Sequence, residues 1–569
     1  MRRKNQNLRL LTLGVFFFIL GLIIVWRLWS LQIKQFQVYE KKAVTQRKVE
    51  EVLNPQRGEI YIQDKFGNLE KLAARSERKI IFAVPKDIRE SKKTAGELAP
   101  ILEISEENLE LMLKSAMSSY KRLKVDVSDE VSNKISAAKI SGIGVEKEEW
   151  RFYPLKNLAA EVVGFVGFDK DKRKGVYGIE ASYNKELEGL PGFLETEKDL
   201  KGRQIFLAQK EGKAVKNGSD IILTIDRNIQ FESEELLKKL IEKWNAEAGT
   251  VIVMEPSTGK ILALADEPSF DPNQYKEVKN PSVFLNNAVQ KVFEPGSIFK
   301  LFTMAAGLDS ELITPDTKYK DEGSVKISGI TVKNFTSEVF GWQTMTQILE
   351  KSLNTGAVFV GKILGRENFL KYVEKFGFGE KTGLDLNGEL SGLISNLKSG
   401  KDIDFLTATF GQGVAVTPIQ LVSAVGALAN QGKLMRPYLV DKILSENGET
   451  IKTIPQVRLE AISPETARKI SEMMVSVVDH GFDKARINGY FIAGKTGTAQ
   501  VALENKKGYA PDRFIHGFAG FAPAFNPRFV ALIKLDNPKG IAFAADSLSP
   551  SFRDLTQFIF NYYEIPPDY

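Results

Sequence analysis

Ser297 and Lys300 stand three residues apart in Glu294-Pro295-Gly296-Ser297-Ile298-Phe299-Lys300. Pro295 and Gly296, just ahead of an apolar stretch, mark a helix start. That start puts Ser297 in the first turn, with Lys300 on the same face and its amine within reach of the hydroxyl. A lysine kept dry beside another cation favours its neutral form and can act as a base, so the pair suits nucleophilic acyl transfer. On its own the spacing arises often by chance and usually means a solvated helix face. A second group, Ser352-Leu353-Asn354, lies in the amphipathic run TQILEKSLNTGAVFVGKIL. A Ser-x-Asn of this kind caps or ends helices more often than it donates a proton. The third group is Lys495-Thr496-Gly497-Thr498, with the strand-like Tyr490 to Ala493 before it and Ala499-Gln500-Val501 after it. Gly497 inside a strand suggests the close approach of another backbone or of a ligand; the plain alternative is an edge strand with a surface lysine.

Composition narrows the chemistry further. The chain has no cysteine, which removes thiol nucleophiles, disulfides, iron–sulfur clusters and cysteine-ligated zinc. His480 and His516 are the only histidines, so a three-histidine metal site is impossible and histidine is disfavoured as the base. No metal or other cofactor is expected. The net charge of +6, 78 basic minus 72 acidic residues, is spread along the chain and does not point to nucleic acid. With 43% apolar and 26% charged residues, most of the chain should fold, and 569 residues call for two or three domains.

The elements that must position these groups follow from the apolar pattern. Leu10 to Trp26 is a 17-residue apolar run that Leu28 to Ile33 extends, long enough to cross a bilayer as a helix. Arg2, Arg3, Lys4 and Arg9 precede it, which should keep residues 1–9 cytoplasmic and translocate the rest. No small-residue cleavage site follows, and Trp26 and Trp29 suit an interface, so an uncleaved anchor over 10–33 is preferred to a signal peptide. Residues 34–220 mix short strands with charged helices such as Ser105 to Lys114, where Ser105 is the expected cap. Turns at Phe66-Gly67-Asn68 and Gly189-Leu190-Pro191-Gly192 read as hinges of an elongated spacer. From Ile221 the pattern changes to a strand over Ile221 to Ile225, a helix over Gln230 to Trp244, and a hairpin of Thr250 to Met254 with Lys260 to Ala265. Arg528 to Leu535 and the Lys495 segment supply further strands, giving a catalytic domain over 221–569.

The three groups occur together and in order, which is the S-x-x-K, S-D-N, K-T-G signature of penicillin-binding proteins and class A β-lactamases, with Leu353 in place of Asp. The chain resembles the class B penicillin-binding proteins, the monofunctional peptidoglycan transpeptidases. Arg57-Gly58-Glu59-Ile60 with Asp64 and Gly67 is similar to the opening motif of that family's pedestal. Arg151-Phe152-Tyr153-Pro154 is similar to its second, and Gly178-Ile179-Glu180 with Tyr183-Asn184 and Leu187 to its third. Gly411-Gln412-Gly413 followed by Thr417-Pro418-Ile419-Gln420 matches a stretch of the transpeptidase domain. The Ile60-Tyr61-Ile62-Gln63 spacing departs from the commonest opening motif.

The resemblance implies an α/β transpeptidase domain of the serine β-lactamase-like kind: an antiparallel sheet with helices on both faces and a helical subdomain. Before it come an elongated α+β pedestal and one transmembrane helix. It implies Ser297 as nucleophile toward D-alanyl-D-alanine stem peptides and penicillins, Lys300 as base, and Ser352 and Asn354 holding the proton and the peptide amide. Lys495, Thr496, Gly497 and Thr498 would bind the donor, its terminal carboxylate above all. Implied partners are stem peptides, β-lactams, a membrane glycosyltransferase and the division or elongation machinery, with the catalytic domain outside a bacterial cell membrane. Glu294 before Pro295 resembles the division-associated, FtsI-type members. An elongation role, a hydrolytic carboxypeptidase or β-lactamase, and a non-catalytic β-lactam sensor stay open as alternatives.

Overall fold

The structure is a computed structural model of the chain and describes residues 2–40, 48–114, 120–169, 172–197, 211–336, 338–503 and 508–569. The N-terminal apolar run is helical as α1 (Arg2–Trp29), and within it and the turn that follows Leu8–Lys34 is long and apolar enough to cross a membrane. The chain divides into two units. Residues 1–56 and 189–218 form the first, in which strands Lys48–Leu53, Gly192–Glu197 and Glu211–Lys213 make a three-stranded antiparallel sheet. Gly189, expected at a hinge, opens the segment that returns the chain to this unit and has φ +68°.

Residues 57–188 and 219–569 form the second unit. Its N-terminal part is knit by one buried carboxylate. Glu180 accepts hydrogen bonds from Arg57 Nε at 2.8 Å and Nη2 at 2.6 Å, from Arg151 Nε at 2.5 Å and from Tyr153 Oη at 3.3 Å. The three pedestal motifs, far apart in sequence, therefore meet at Glu180. Burial alone would raise its pKa, but Arg151 and Arg57 outweigh it and hold the carboxylate below its usual range. A second small core lies under helices Ser91–Leu102, Glu106–Leu113 and Asp129–Ala138, built on Leu98, Leu102, Leu109 and Ile135. Ser105 sits at the expected N-cap, but its side chain makes no capping bond, a correction to the sequence reading.

The strand around Ile221 spans Asp220–Asp226 and pairs with both halves of the chain. It runs parallel to Ile60–Gln63, with Ile221 opposite Ile60, and antiparallel to Val440–Leu444, with Leu223 opposite Val440. It thus belongs to a seven-stranded sheet shared by early and late segments.

The sheet that carries Lys495 has five strands: β1 (Ala248–Met254), β2 (Ile261–Glu267), β3 (Ala493–Ala502), β4 (Tyr509–Ala522) and β5 (Phe529–Asp536). Their order is β2-β1-β5-β4-β3, every neighbour antiparallel, with β3 on the edge. Around it stand α2 (Arg227–Trp244), α3 (Lys300–Asp309), α4 (Met345–Glu350), α5 (Asn354–Leu364), α6 (Pro418–Ala429) and α7 (Ala544–Tyr563). Alternation along the strands divides the apolar side chains between two cores. Val251, Val253, Phe518, Ala531 and Ile533 pack with Leu237 of α2 and Phe552 of α7. Ile252, Met254, Ala519, Phe521 and Leu532 pack with Leu301 of α3 and Val422 of α6. Helices cover both faces, as expected. The strand β4 escaped the sequence reading because Pro511, Asp512, Gly517 and Gly520 break its alternation.

Candidate active site

The turn that carries Ser297 is built by glycine and proline. Gly296–Phe299 is a single 3₁₀ turn that feeds directly into α3, so Ser297 and Lys300 share a face at the helix start. Gly296 has φ +55°, a conformation that other residues adopt only under strain. The Gly411-Gln412-Gly413 stretch braces this turn from outside. Gly296 N donates to Gly411 O at 3.2 Å, and a Cβ on Gly411 would lie 2.2 Å from Gly296 O. Glu294 completes the brace, its Oε1 accepting from Gly413 N at 3.0 Å and from Tyr509 Oη at 3.3 Å. In the sequence Glu294 is legible only as a family marker; its bracing role depends on contacts 119 and 215 residues away.

The run TQILEKSLNTGAVFVGKIL is not one helix. It breaks between α4 and α5 at Ser352, which has φ +56°. That strained backbone lets Ser352 present two oxygens to one amine. Lys300 Nζ donates to Ser352 O at 2.5 Å and to Ser352 Oγ at 3.2 Å, and lies 3.0 Å from Ser297 Oγ. Lys495 Nζ reaches the same hydroxyl, donating to Ser352 Oγ at 3.1 Å and to Thr496 O at 3.1 Å. Ser297, Lys300, Ser352 and Lys495 therefore form a continuous hydrogen-bonded chain. Asn354, the first residue of α5, lines the same cleft but donates to Lys333 O at 3.0 Å rather than joining that chain.

Gly497 places β3 against the turn that carries Ser297. A Cβ there would meet Pro295 O at 2.7 Å and Ile298 Cγ1 at 3.0 Å, so only glycine permits this approach. Thr496 and Thr498 line the cleft on the exposed edge of the sheet. Thr498 Oγ1 accepts from Ala544 N at 3.1 Å.

Both lysines are nearly inaccessible, each 1% exposed. Burial first, and the neighbouring Lys495 second, pull the Lys300 amine well below its ordinary range. Burial also brings Lys495 down to about 7. The arrangement supplies a hydroxyl nucleophile, an amine poised to be neutral, a hydroxyl bridging two amines, and a second lysine whose charge a bound anion would restore. Among the described residues, no group of three or more His, Asp or Glu side chains is disposed to hold a metal ion.

Comparison with known proteins gives the family. Residues 249–557 match the penicillin-binding protein transpeptidase domain, and residues 52–223 match the penicillin-binding protein dimerisation domain. The chain is 34% identical over 495 residues to Stage V sporulation protein D of Bacillus subtilis, covering 85% of this chain and 75% of that protein. It is 29% identical over 588 residues to the peptidoglycan D,D-transpeptidase FtsI homolog of Mesostigma viride, covering 98% and 96%. The crystal structure of penicillin-binding protein 3 of Mycobacterium tuberculosis in complex with aztreonam superposes with a TM-score of 0.70 at 25% identity, over 91% of this chain and 98% of that one. The chain belongs to the class B penicillin-binding proteins, the monofunctional peptidoglycan D,D-transpeptidases.

Proposed function

We propose that Ser297 carries the acyl group in peptidoglycan cross-linking, and that β-lactams trap the same serine. The observation that supports this most is the Ser297–Lys300–Ser352–Lys495 chain, with successive contacts of 3.0, 3.2 and 3.1 Å. Neutral Lys300 accepts the Ser297 proton as Oγ attacks the carbonyl between the two terminal D-alanines of a donor stem. Backbone N–H groups of Ser297 and Thr498 stabilise the oxyanion, a contribution of about 3 kcal/mol per donor in sites of this kind. Ser352 passes the proton to the leaving amine, and Asn354 holds the peptide amide. D-alanine departs and leaves an ester on Ser297. The amine of a second stem then attacks the ester, gives up its proton, and restores the serine. Lys495, Thr496 and Thr498 hold the donor carboxylate, with Gly497 allowing the backbone to lie close.

In this reading α1 anchors the protein in a bacterial cell membrane with residues 1–9 in the cytosol. Residues 10–33 span it, 34–220 are the pedestal, and 221–569 are the transpeptidase domain outside the cell. Glu294 and the FtsI-homologue relative support a role in septal synthesis beside a membrane glycosyltransferase and the division machinery.

Purified protein given lipid-linked precursors and a partner glycosyltransferase tests the function. Cross-linked stems, with loss of one D-alanine per link and abolished by penicillin, are expected. Release of D-alanine without links would make it a carboxypeptidase, steady turnover of penicillin a β-lactamase, and penicillin binding without stem chemistry a sensor.

A further inference from the structure

His516 is fully buried in β4, directly opposite Thr498 in the β3–β4 register. A histidine with no solvent contact, one strand behind a cleft residue, has no part in the proton chain through Lys300. Its Nδ1 lies 2.8 Å from Ser547 Oγ, and Ser547 is in the first turn of α7 and buried. Ala544, the residue that opens α7, is also buried and sends its N–H to Thr498 Oγ1. Phe518, two residues further along β4, stacks on Phe552 of α7 with ring centroids 4.3 Å apart, so the helix covers this face of the sheet. The contacts run in a closed circuit: Thr498 faces His516 in the strand register, His516 Nδ1 meets Ser547 Oγ, Ser547 Oγ donates to Ala544 O at 3.4 Å, and Ala544 N donates back to Thr498 Oγ1.

The circuit biases the Thr498 hydroxyl. With the Ala544 N–H occupying one of the two lone pairs of Oγ1, the hydroxyl keeps its proton free to donate to a group in the cleft. A donor at that place suits an anionic oxygen. Burial holds His516 neutral, pulling its pKa down to about 4 against the opposing pull of the Ala542 backbone.

We infer that His516, acting through Ser547, is a positioning residue that seats the start of α7 against Thr498 and so tunes recognition of the ligand's carboxylate. The inference rests on the reading that Thr498 binds that carboxylate. Rates of covalent acylation by benzylpenicillin and by its methyl ester, taken as a ratio, test both separately. The parent should prefer the free acid; no preference would defeat the Thr498 reading itself. Given that preference, His516→Leu and Ser547→Ala should each lower the ratio about tenfold, the scale of one hydrogen bond to a charged group. The double variant should be no worse than either single one. His516→Asn, whose side-chain amide can replace Nδ1, should restore most of the ratio. If His516→Leu fails to fold, Ser547→Ala carries the test. A ratio unchanged in folded variants, or equal slowing toward acid and ester, would overturn the inference.

Discussion

Lys300 and Lys495 carry the same formal charge and share one hydroxyl, yet their positions give them different work. In the proposed mechanism Lys300, one turn from Ser297, must be neutral when the hydroxyl attacks, so a side chain that cannot lose its proton cannot replace it. Lys300→Arg should slow covalent labelling by a fluorescent penicillin by about 10²–10⁴-fold, the usual worth of a general base. Lys495→Arg should keep a measurable fraction, because in the proposed mechanism its task is to meet a carboxylate. Equal loss in both folded variants would contradict these roles. The sign with pH follows from the depressed amine: labelling should fall as acidification protonates Lys300, and should not require a pH near 10.5. The three motifs made this cluster legible in the sequence, since Ser297, Lys300, Ser352 and Lys495 all occupy signature positions. Asn354 was legible as a cleft residue, but its bond to Lys333 was not. His516 was invisible for a physical reason, because nothing local to its strand says that α7 will cover it.

At the scale of elements, the site depends on how closely three chain segments approach. Gly411 against Gly296, and Gly497 against Pro295 and Ile298, set the spacing of the brace, the nucleophile turn and β3. Gly497→Ala would force the edge strand away from the turn and draw Lys495 off Ser352. Misplacement of about 1 Å costs on the order of 10²-fold in such chemistry, so penicillin labelling should fall by about that factor while the melting temperature changes little. A normal rate would show that the close approach is not needed. Gly497 was readable as a point of approach because a strand rarely carries glycine without one. The left-handed turn at Ser352 was not, since the amphipathic pattern runs through it without a break and only tertiary contacts with both lysines favour the strain.

At the scale of the whole molecule, one long-range device joins the early and late parts of the second unit and another knits its early part. Strand Asp220–Asp226 lies between Ile60–Gln63 and Val440–Leu444, and Glu180 gathers Arg57 and Arg151 in a buried cluster. The motifs holding those residues were recognisable one by one, but their meeting at Glu180 could not be read from spacing, because charged residues in short motifs look the same on a surface as in a core. The proposed mechanism converges on one bond, an ester at Ser297. Intact-mass measurement of the protein after exposure to benzylpenicillin, followed by peptide mapping, examines that bond directly. One adduct per chain on the peptide bearing Ser297, absent from Ser297→Ala, is the expected result; no adduct on folded protein, or an adduct that persists in Ser297→Ala, would contradict it.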